Sequence, residues 1–119
     1  MATEKRCLRI AEFIHQEIVE VLRKMEVPEK SLFTITKVGV NRDMRIAVVY
    51  FSVLGGEGER KAILSYLEEI SPYLRREVGK RMRVRYIPRI RFRFDPSLEY
   101  SDRISELIEK VKKEREEIL

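Results

Sequence analysis

The hydrophobic residues of this chain switch repeatedly between the spacing of a helix and that of a strand, which limits the folds it can adopt. From Arg6 to Met25, apolar side chains recur every three or four residues, indicating one face of a helix that ends before Pro28. From Leu32 to Val40, and more regularly from Ile46 to Leu54, apolar side chains alternate with others, as in strands. The polar break between these two segments predicts a hairpin.

A second helical stripe follows a glycine-rich turn at residues 55–58 and runs to about Arg81. Pro72 interrupts this stripe. Because proline removes a backbone donor and clashes with the preceding turn, the sequence predicts a kink or a break into two helices near Ser71.

The residues from Val84 to Asp95 alternate again and predict a third strand with one apolar and one basic face. The apolar face carries Ile90, Phe92 and Phe94, and the basic face carries Arg89, Arg91 and Arg93. Pro88 predicts that this strand begins at a sheet edge or a bulge, since proline cannot donate to a ladder.

A last helix is predicted from about Ser101, and roughly its last eight residues are expected to fray because six of them are charged. Helices covering one face of a three-stranded sheet satisfy this order best, so we expect an α+β fold. At 119 residues the chain fits one domain, and we expect residues 1–119 to form it.

The composition predicts a cytoplasmic protein. Cys7 is the only cysteine and cannot form an internal disulfide, which suits a reducing compartment. Arg9, Glu12 and His15 interrupt the first apolar pattern, so it offers no signal-peptide core. No segment approaches the roughly 20 apolar residues of a membrane span.

Positive charge is concentrated in one part of the chain. The net charge is +5, but residues 75–93 hold nine basic residues and one acidic residue, a local charge of +8. Residues 95–119, in contrast, carry five basic and eight acidic residues. The candidate RNA-binding residues are therefore Arg75, Arg76, Lys80, Arg81, Arg83, Arg85, Arg89, Arg91 and Arg93.

A charge run is usually a solvated face, and that interpretation stands beside the functional one. Three details favour a polyanionic partner. Eight of the nine cations are arginine, whose planar fork contacts phosphate bidentately and stacks on bases. Three project from one strand face, and others lie on the helix just upstream, so a shared polyanion could bridge them. Tyr73 and Tyr86 could stack on unpaired bases, although tyrosines at such positions are more often half-buried.

The sequence shows no grouping of residues of the kind that catalysis or metal binding needs. His15 is the only histidine and has no partner for a zinc site or a nucleophile pair, so we interpret it as a helix-surface residue. The acidic residues alternate with Lys and Arg, as on solvated helix faces. We therefore expect no enzyme activity, cofactor or metal.

The turn Gly55-Gly56-Glu57-Gly58 formally matches the G-x-x-G loop with which KH domains clamp an RNA backbone. Such a loop should join two helices and carry a cation, whereas this one follows a strand and contains Glu57. We prefer the interpretation as a plain turn.

Two blocks of sequence resemble the bacterial ribosome-binding factor A family. The first, residues 38–55, has an acidic residue before the second strand and ends in Ser52-Val53-Leu54-Gly55. The second, residues 74–99, contains Arg85-Tyr-Ile-Pro88-Arg-Ile90-Arg-Phe92 and Asp95-Pro-Ser97-Leu98-Glu99, which match the family patterns Arg-x-x-Pro-x-Leu/Ile-x-Phe and Asp-x-Ser-Leu-Glu. The resemblance extends from Arg9 to Ile108.

This resemblance implies a type II KH-like domain without a functional G-x-x-G clamp. The family's usual Ala-x-Gly kink is replaced here by Ser71-Pro72-Tyr73, so the kink is expected to persist with a different geometry. Of the nine cations, the resemblance carries over Arg75, Lys80, Arg81, Arg83, Arg85 and Arg91, whereas Arg76, Arg89 and Arg93 come from the charge pattern alone.

The function implied by the resemblance is assembly of the small (30S) ribosomal subunit. Family members bind immature subunits and 16S rRNA and assist maturation of the rRNA 5′ region, notably in the cold. We expect a monomer that acts stoichiometrically, with no membrane and no small-molecule substrate. The alternatives are a generic single-stranded RNA-binding module, an RNA-processing enzyme, and a domain whose arginines bind acidic proteins.

Overall fold

The computed structural model describes residues 2–25, 33–84 and 86–97 as two helices and a three-stranded sheet. Along the chain these are α1 (Ala2–Lys24), β1 (Phe33–Val40), β2 (Ile46–Val53), α2 (Glu57–Arg81) and β3 (Arg89–Phe94). The arrangement confirms the predicted α+β class. The helix predicted from Ser101 lies outside the described residues and stays a prediction.

The sheet has the order β1-β2-β3 and mixes two kinds of pairing. β1 and β2 are antiparallel and form the predicted hairpin, whose turn is closed by bonds from the Arg45 and Ile46 N–H groups to the Asn41 side-chain oxygen, at 3.1 and 2.9 Å. β2 and β3 are parallel. The register of β1 shifts between Ile35 and Lys37, so Thr36 is an extra residue in a β-bulge.

Both helices pack against the same face of the sheet. On β2 this face carries Ala47, Val49, Phe51 and Val53, all buried as predicted. They share one core with Ile14 and Ile18 of α1, with Ile63, Leu67, Leu74 and Val78 of α2, and with Ile90 of β3. The ring of Phe51 meets that of Phe94 edge to face at 5.9 Å.

The helix α1 begins at Ala2, four residues before the predicted start at Arg6. The residues before Cys7 contribute no apolar stripe, but Ala2, Glu4 and Lys5 favour helix intrinsically, and Glu4 suits the positive end of the helix dipole. Cys7 lies on the buried face of α1, where its thiol donates to the Asn41 carbonyl at 3.5 Å.

α2 is one continuous helix through Pro72, so a break into two helices near Ser71 is wrong, and the alternative, a kink, stays a prediction. Leu67 and Leu74, on either side of the proline, are fully buried and hold both halves against the sheet. The Ser71 hydroxyl also donates to the Ile90 carbonyl of β3 at 3.2 Å. These contacts offset the backbone donor that Pro72 lacks.

The glycine-rich segment forms the predicted turn and the start of α2. Gly55 has φ +144°, a conformation that side chains disfavour, and α2 begins two residues later at Glu57. The Glu59 carboxylate accepts a hydrogen bond from the Gly56 N–H at 2.9 Å, which satisfies a donor at the helix start.

β3 begins at Arg89, five residues later than the predicted start at Val84. Pro88 has no N–H to donate to the ladder. The first hydrogen bond at the start of β3 therefore runs from the Arg89 N–H to the Arg45 carbonyl at 2.7 Å. β3 is an edge strand, as Pro88 predicted. The segment before it packs closely on α2 because Gly79 has no side chain to collide with Ile87.

Candidate nucleic-acid interface

The arginines of β3 point to the face of the sheet that is turned away from α1 and α2. Arg89, Arg91 and Arg93 are exposed, whereas the alternate residue Ile90 is buried in the core. Their partners across the parallel ladder are Ile46, Val48 and Tyr50 of β2 respectively. We call this side of the three strands the outer sheet face.

The neighbouring strands add a lysine and a tyrosine that the charge run did not reveal. Lys37 of β1 pairs with Tyr50, and its ammonium lies 4.7 Å from the centre of that ring. Lys37, Tyr50 and Arg93 therefore form one row across the sheet. Tyr50 could have been recognised from its phase, since it is the polar-tipped residue between the inward-facing Val49 and Phe51.

The next row is flatter. Gly39 of β1 pairs with Val48, which pairs in turn with Arg91. A Cβ at Gly39 would meet nothing within 4 Å, so the β1 end of this row is open. A planar base or a sugar-phosphate backbone can approach the strands closely at this row.

The Asp95 carboxylate borders the outer sheet face and links β1 to the end of β3. Asp95, directly after β3, accepts a hydrogen bond from the Thr36 hydroxyl at 2.6 Å and from the Ser97 N–H at 3.0 Å. Its own N–H donates to the Phe51 carbonyl at 2.7 Å. The hydrogen bonds from Thr36 and Ser97 lower the pKa of Asp95 to about 2. Asp95 is therefore an anion at neutral pH, and Lys37 is a cation close enough to favour that charge.

The predicted cations of α2 lie on the other side of the sheet, and three of them contact protein groups. Arg75 donates to the Ile87 carbonyl at 2.9 Å, Lys80 pairs with Glu77 at 2.8 Å, and Arg81 pairs with Glu17 at 3.2 Å. The side chains of Lys80 and Arg81 remain 70% and 60% exposed, and such surface pairs contribute at most about 1 kcal/mol. A phosphate can therefore replace the carboxylate.

The nine predicted cations thus form two groups and not one continuous patch. The helix group contains Arg75, Arg76, Lys80, Arg81 and the exposed Arg83, and the strand group contains Arg89, Arg91 and Arg93. Arg85 lies outside the described residues. A polyanion that contacts both groups has to pass around the sheet edge formed by β3.

Of the two tyrosines considered for stacking, Tyr86 is 73% exposed and Tyr73 is 40% exposed. The half-buried interpretation is therefore wrong for Tyr86.

His15 on α1 is half-buried. In the described part of the chain, no three His, Cys, Asp or Glu side chains are grouped to hold a metal, and no helix is long and apolar enough to cross a membrane.

The fold and its exposed arginines define a small, basic KH-like α+β domain. The family model described as ribosome-binding factor A matches residues 6–108. A ribosome-binding factor A from Halothermothrix orenii is 42% identical over 113 residues, covering 94% of this chain and 93% of that protein. The chain belongs to the ribosome-binding factor A family, as the two sequence blocks indicated.

Solved structures of the family share the fold. The solution structure of a Thermotoga maritima protein described as a putative ribosome binding factor A is 28% identical, covers 76% of this chain and 83% of its own, and has a TM-score of 0.58. A homology model of the Thermus thermophilus factor, as fitted into the cryo-EM map of a 30S complex, is 23% identical, covers 71% of this chain and 89% of its own, and has a TM-score of 0.59.

Arg75 is expected to contribute to stability more than its neighbour does. Changing Arg75 to Gln removes the bond to Ile87 and should lower the free energy of unfolding by about 0.5–1.5 kcal/mol. Arg76→Gln, at the next exposed position, should change it by less than about 0.5 kcal/mol. Urea unfolding measures both, and equal losses would contradict a structural role for Arg75.

Thr36→Val should destabilise the protein by about 1.5–3 kcal/mol at pH 7, because it removes a bond to a carboxylate. The Asp95 pKa is depressed from 3.8 to about 2, so its stabilisation is present above pH 4 and is lost as the pH falls through 2. The stability that Thr36→Val loses relative to wild type should therefore shrink as the pH falls from 4 to 2. Denaturation from pH 7 to pH 2 tests this, with the exposed Thr34→Val as control. A deficit that does not depend on pH would contradict it.

Proposed function

We propose that this protein binds the immature small ribosomal subunit through its 16S rRNA and assists maturation of the rRNA 5′ region without catalysing a reaction. Family membership supports the ribosomal target, and a related factor from Thermus thermophilus has been placed in a 30S complex. The observation that carries the proposal is the outer sheet face, where Lys37 and Arg93 flank Tyr50 and where Arg91 and Arg89 continue the row of cations along β3.

The outer sheet face offers the contacts that RNA needs. Arginine forks bind phosphate oxygens bidentately, and each phosphate neutralised releases condensed counterions. Tyr50 is half-buried between Lys37 and Arg93, so its ring is held in place and can meet a base or a ribose. The open row at Gly39 lets the backbone of the RNA lie close to the strands.

The protein acts stoichiometrically in this proposal, in the cytoplasm where ribosomes assemble. It holds one conformation of the maturing subunit until rRNA folding or processing proceeds, and then it leaves. A bound protein can shift a conformational equilibrium only by its differential affinity for the two states. The proposal therefore requires tighter binding to immature than to mature subunits.

A generic single-stranded RNA-binding module is the second candidate. Phosphate contacts and one stacking ring carry little sequence information, so the outer sheet face by itself suits many RNAs. The two candidates share the surface and differ in target. Competition between small subunits and bulk RNA at matched salt separates them.

Replacing Arg89, Arg91 and Arg93 together with Glu should abolish selective binding to small subunits. This triple change lowers the net charge from +5 to −1 and places three carboxylates on the outer sheet face. Sedimentation with small subunits, large subunits and assembled ribosomes across a salt series measures the effect. The wild type should sediment with small subunits, and with immature ones at higher salt than with mature ones.

The matched control changes Arg23, Lys24 and Lys61 to Glu, which gives the same net charge. These exposed residues lie at the end of α1 and the start of α2, on the helices and not on the strands of the outer sheet face. The control should retain more binding than the β3 variant. If both variants lose binding equally, net charge alone explains the interaction, and if wild type binds all RNA alike, only the generic module survives.

A further inference from the structure

A groove between α1 and the segment that follows α2 brings together arginines that are far apart in the sequence. Arg6 and Arg9 of α1 lie on one side, and Arg81 and Arg83 lie on the other. Only Arg81 and Arg83 belong to the basic run at residues 75–93, whereas Arg6 and Arg9 reach the groove through the packing of α1. We call this cavity the α1 groove.

The floor of the α1 groove is apolar. It is formed by Ile10 and Phe13 of α1 together with Met82 and Val84. All four side chains are only partly buried, so a hydrophobic strip remains accessible between the arginines. The volume is about 400 Å³, within the range of roughly 300–1,000 Å³ found for small-ligand sites.

The α1 groove continues past Val84 towards an exposed aromatic ring. A second, smaller cavity shares Arg6, Ile10, Met82 and Val84 with it and is bordered at its far end by Tyr86. Tyr86 is 73% exposed, so much of its side chain is accessible to a ligand. Asp43 also borders this end, and Glu17 holds Arg81 at the other. A phosphate is therefore favoured in the middle, at Arg6, Arg9 and Arg83.

An unpaired nucleotide matches this arrangement. A base has apolar faces that pack on an apolar floor or stack on a ring, while its phosphate needs cations within reach of the same residue. A base within a duplex is already stacked and cannot enter a groove of this kind. An apolar peptide would bury the floor but supply no anion to Arg6, Arg9 and Arg83.

We propose that the α1 groove binds one unstacked nucleotide of single-stranded RNA, with the base against the floor and Tyr86 and the phosphate at Arg6, Arg9 and Arg83. The inference rests on the proposed function, because it assigns a second contact to the same rRNA. The outer sheet face then binds backbone charge, and the α1 groove selects an unpaired position.

The test uses the full chain and a 12-nucleotide unstructured RNA, either single-stranded or annealed to its complement. Tyr86→Ala should weaken binding of the single strand by about five- to tenfold, the effect of losing one stacked base, and binding of the duplex by less than twofold. Tyr86→Phe keeps the ring and should bind within twofold of wild type. Tyr73→Ala is the matched control and should change neither affinity, because the exposed Tyr73 lines a different cavity with Glu17, Glu20 and Glu77, whose carboxylates disfavour RNA.

A second measurement locates the base directly. The same RNA carries one 4-thiouridine, and irradiation should cross-link it to peptides containing residues 6–13 or 82–86. Cross-links confined to other peptides, or equal losses for Tyr86→Ala on both RNAs, would overturn the inference.

Failure of the inference and of the proposed function give different results. If wild type sediments selectively with small subunits but Tyr86→Ala binds single strands normally, the α1 groove is not a nucleotide site and the proposed function stands. If the cross-links map to the α1 groove but wild type follows all RNA alike, the site is supported and the ribosome-specific function fails.

Discussion

The parallel pairing of β3 with β2 determines where the positive charge of this protein lies. β3 has only six residues, and their alternation places Ile90, Phe92 and Phe94 towards the core and three arginines on the opposite side. The same strand therefore closes the hydrophobic core and carries three of the cations of the outer sheet face. A shift of one residue in its register would bury three arginines. Core packing thus determines on which side of the sheet the three arginines lie.

Parallel pairing requires a long crossover, and the contacts of α2 keep that crossover on the sheet. The Ser71 hydroxyl donates to the Ile90 carbonyl, and Arg75 donates to the Ile87 carbonyl four residues further along α2. Gly79 allows Ile87 to approach the helix axis. An alanine, which the family pattern places at the position of Ser71, could not donate the first of these bonds.

Much of this arrangement could be predicted from the sequence, because alternation and helical spacing are local properties. The hairpin, the inward face of β2 and the outward arginines of β3 all follow from period-two patterns. The continuity of α2 through Pro72 could not be predicted, since it depends on Leu67 and Leu74 packing on strands that are distant in the sequence. The bond between Thr36 and Asp95 spans 59 residues and depends on a β-bulge that no local pattern signals.

The candidate site was predictable only where the charge was contiguous. The run at residues 75–93 indicated the arginines, but Lys37 and Tyr50 join them through strand pairing, and Arg6 and Arg9 join Arg83 through the packing of α1. A further consequence is that cations adjacent in the sequence differ in role. Arg75 supports the loop before β3, while Arg91 faces solvent on the opposite side of the sheet.

The salt dependence of RNA binding tests most directly whether the outer sheet face contacts phosphate. For single-stranded RNA, the logarithm of the binding constant falls with the logarithm of salt concentration by about 0.7 for each phosphate neutralised. Arg91→Gln should therefore reduce the magnitude of this slope by about 0.7 relative to wild type. Arg23→Gln, an exposed arginine on α1, should leave it unchanged. Equal slopes for wild type and Arg91→Gln would contradict the account.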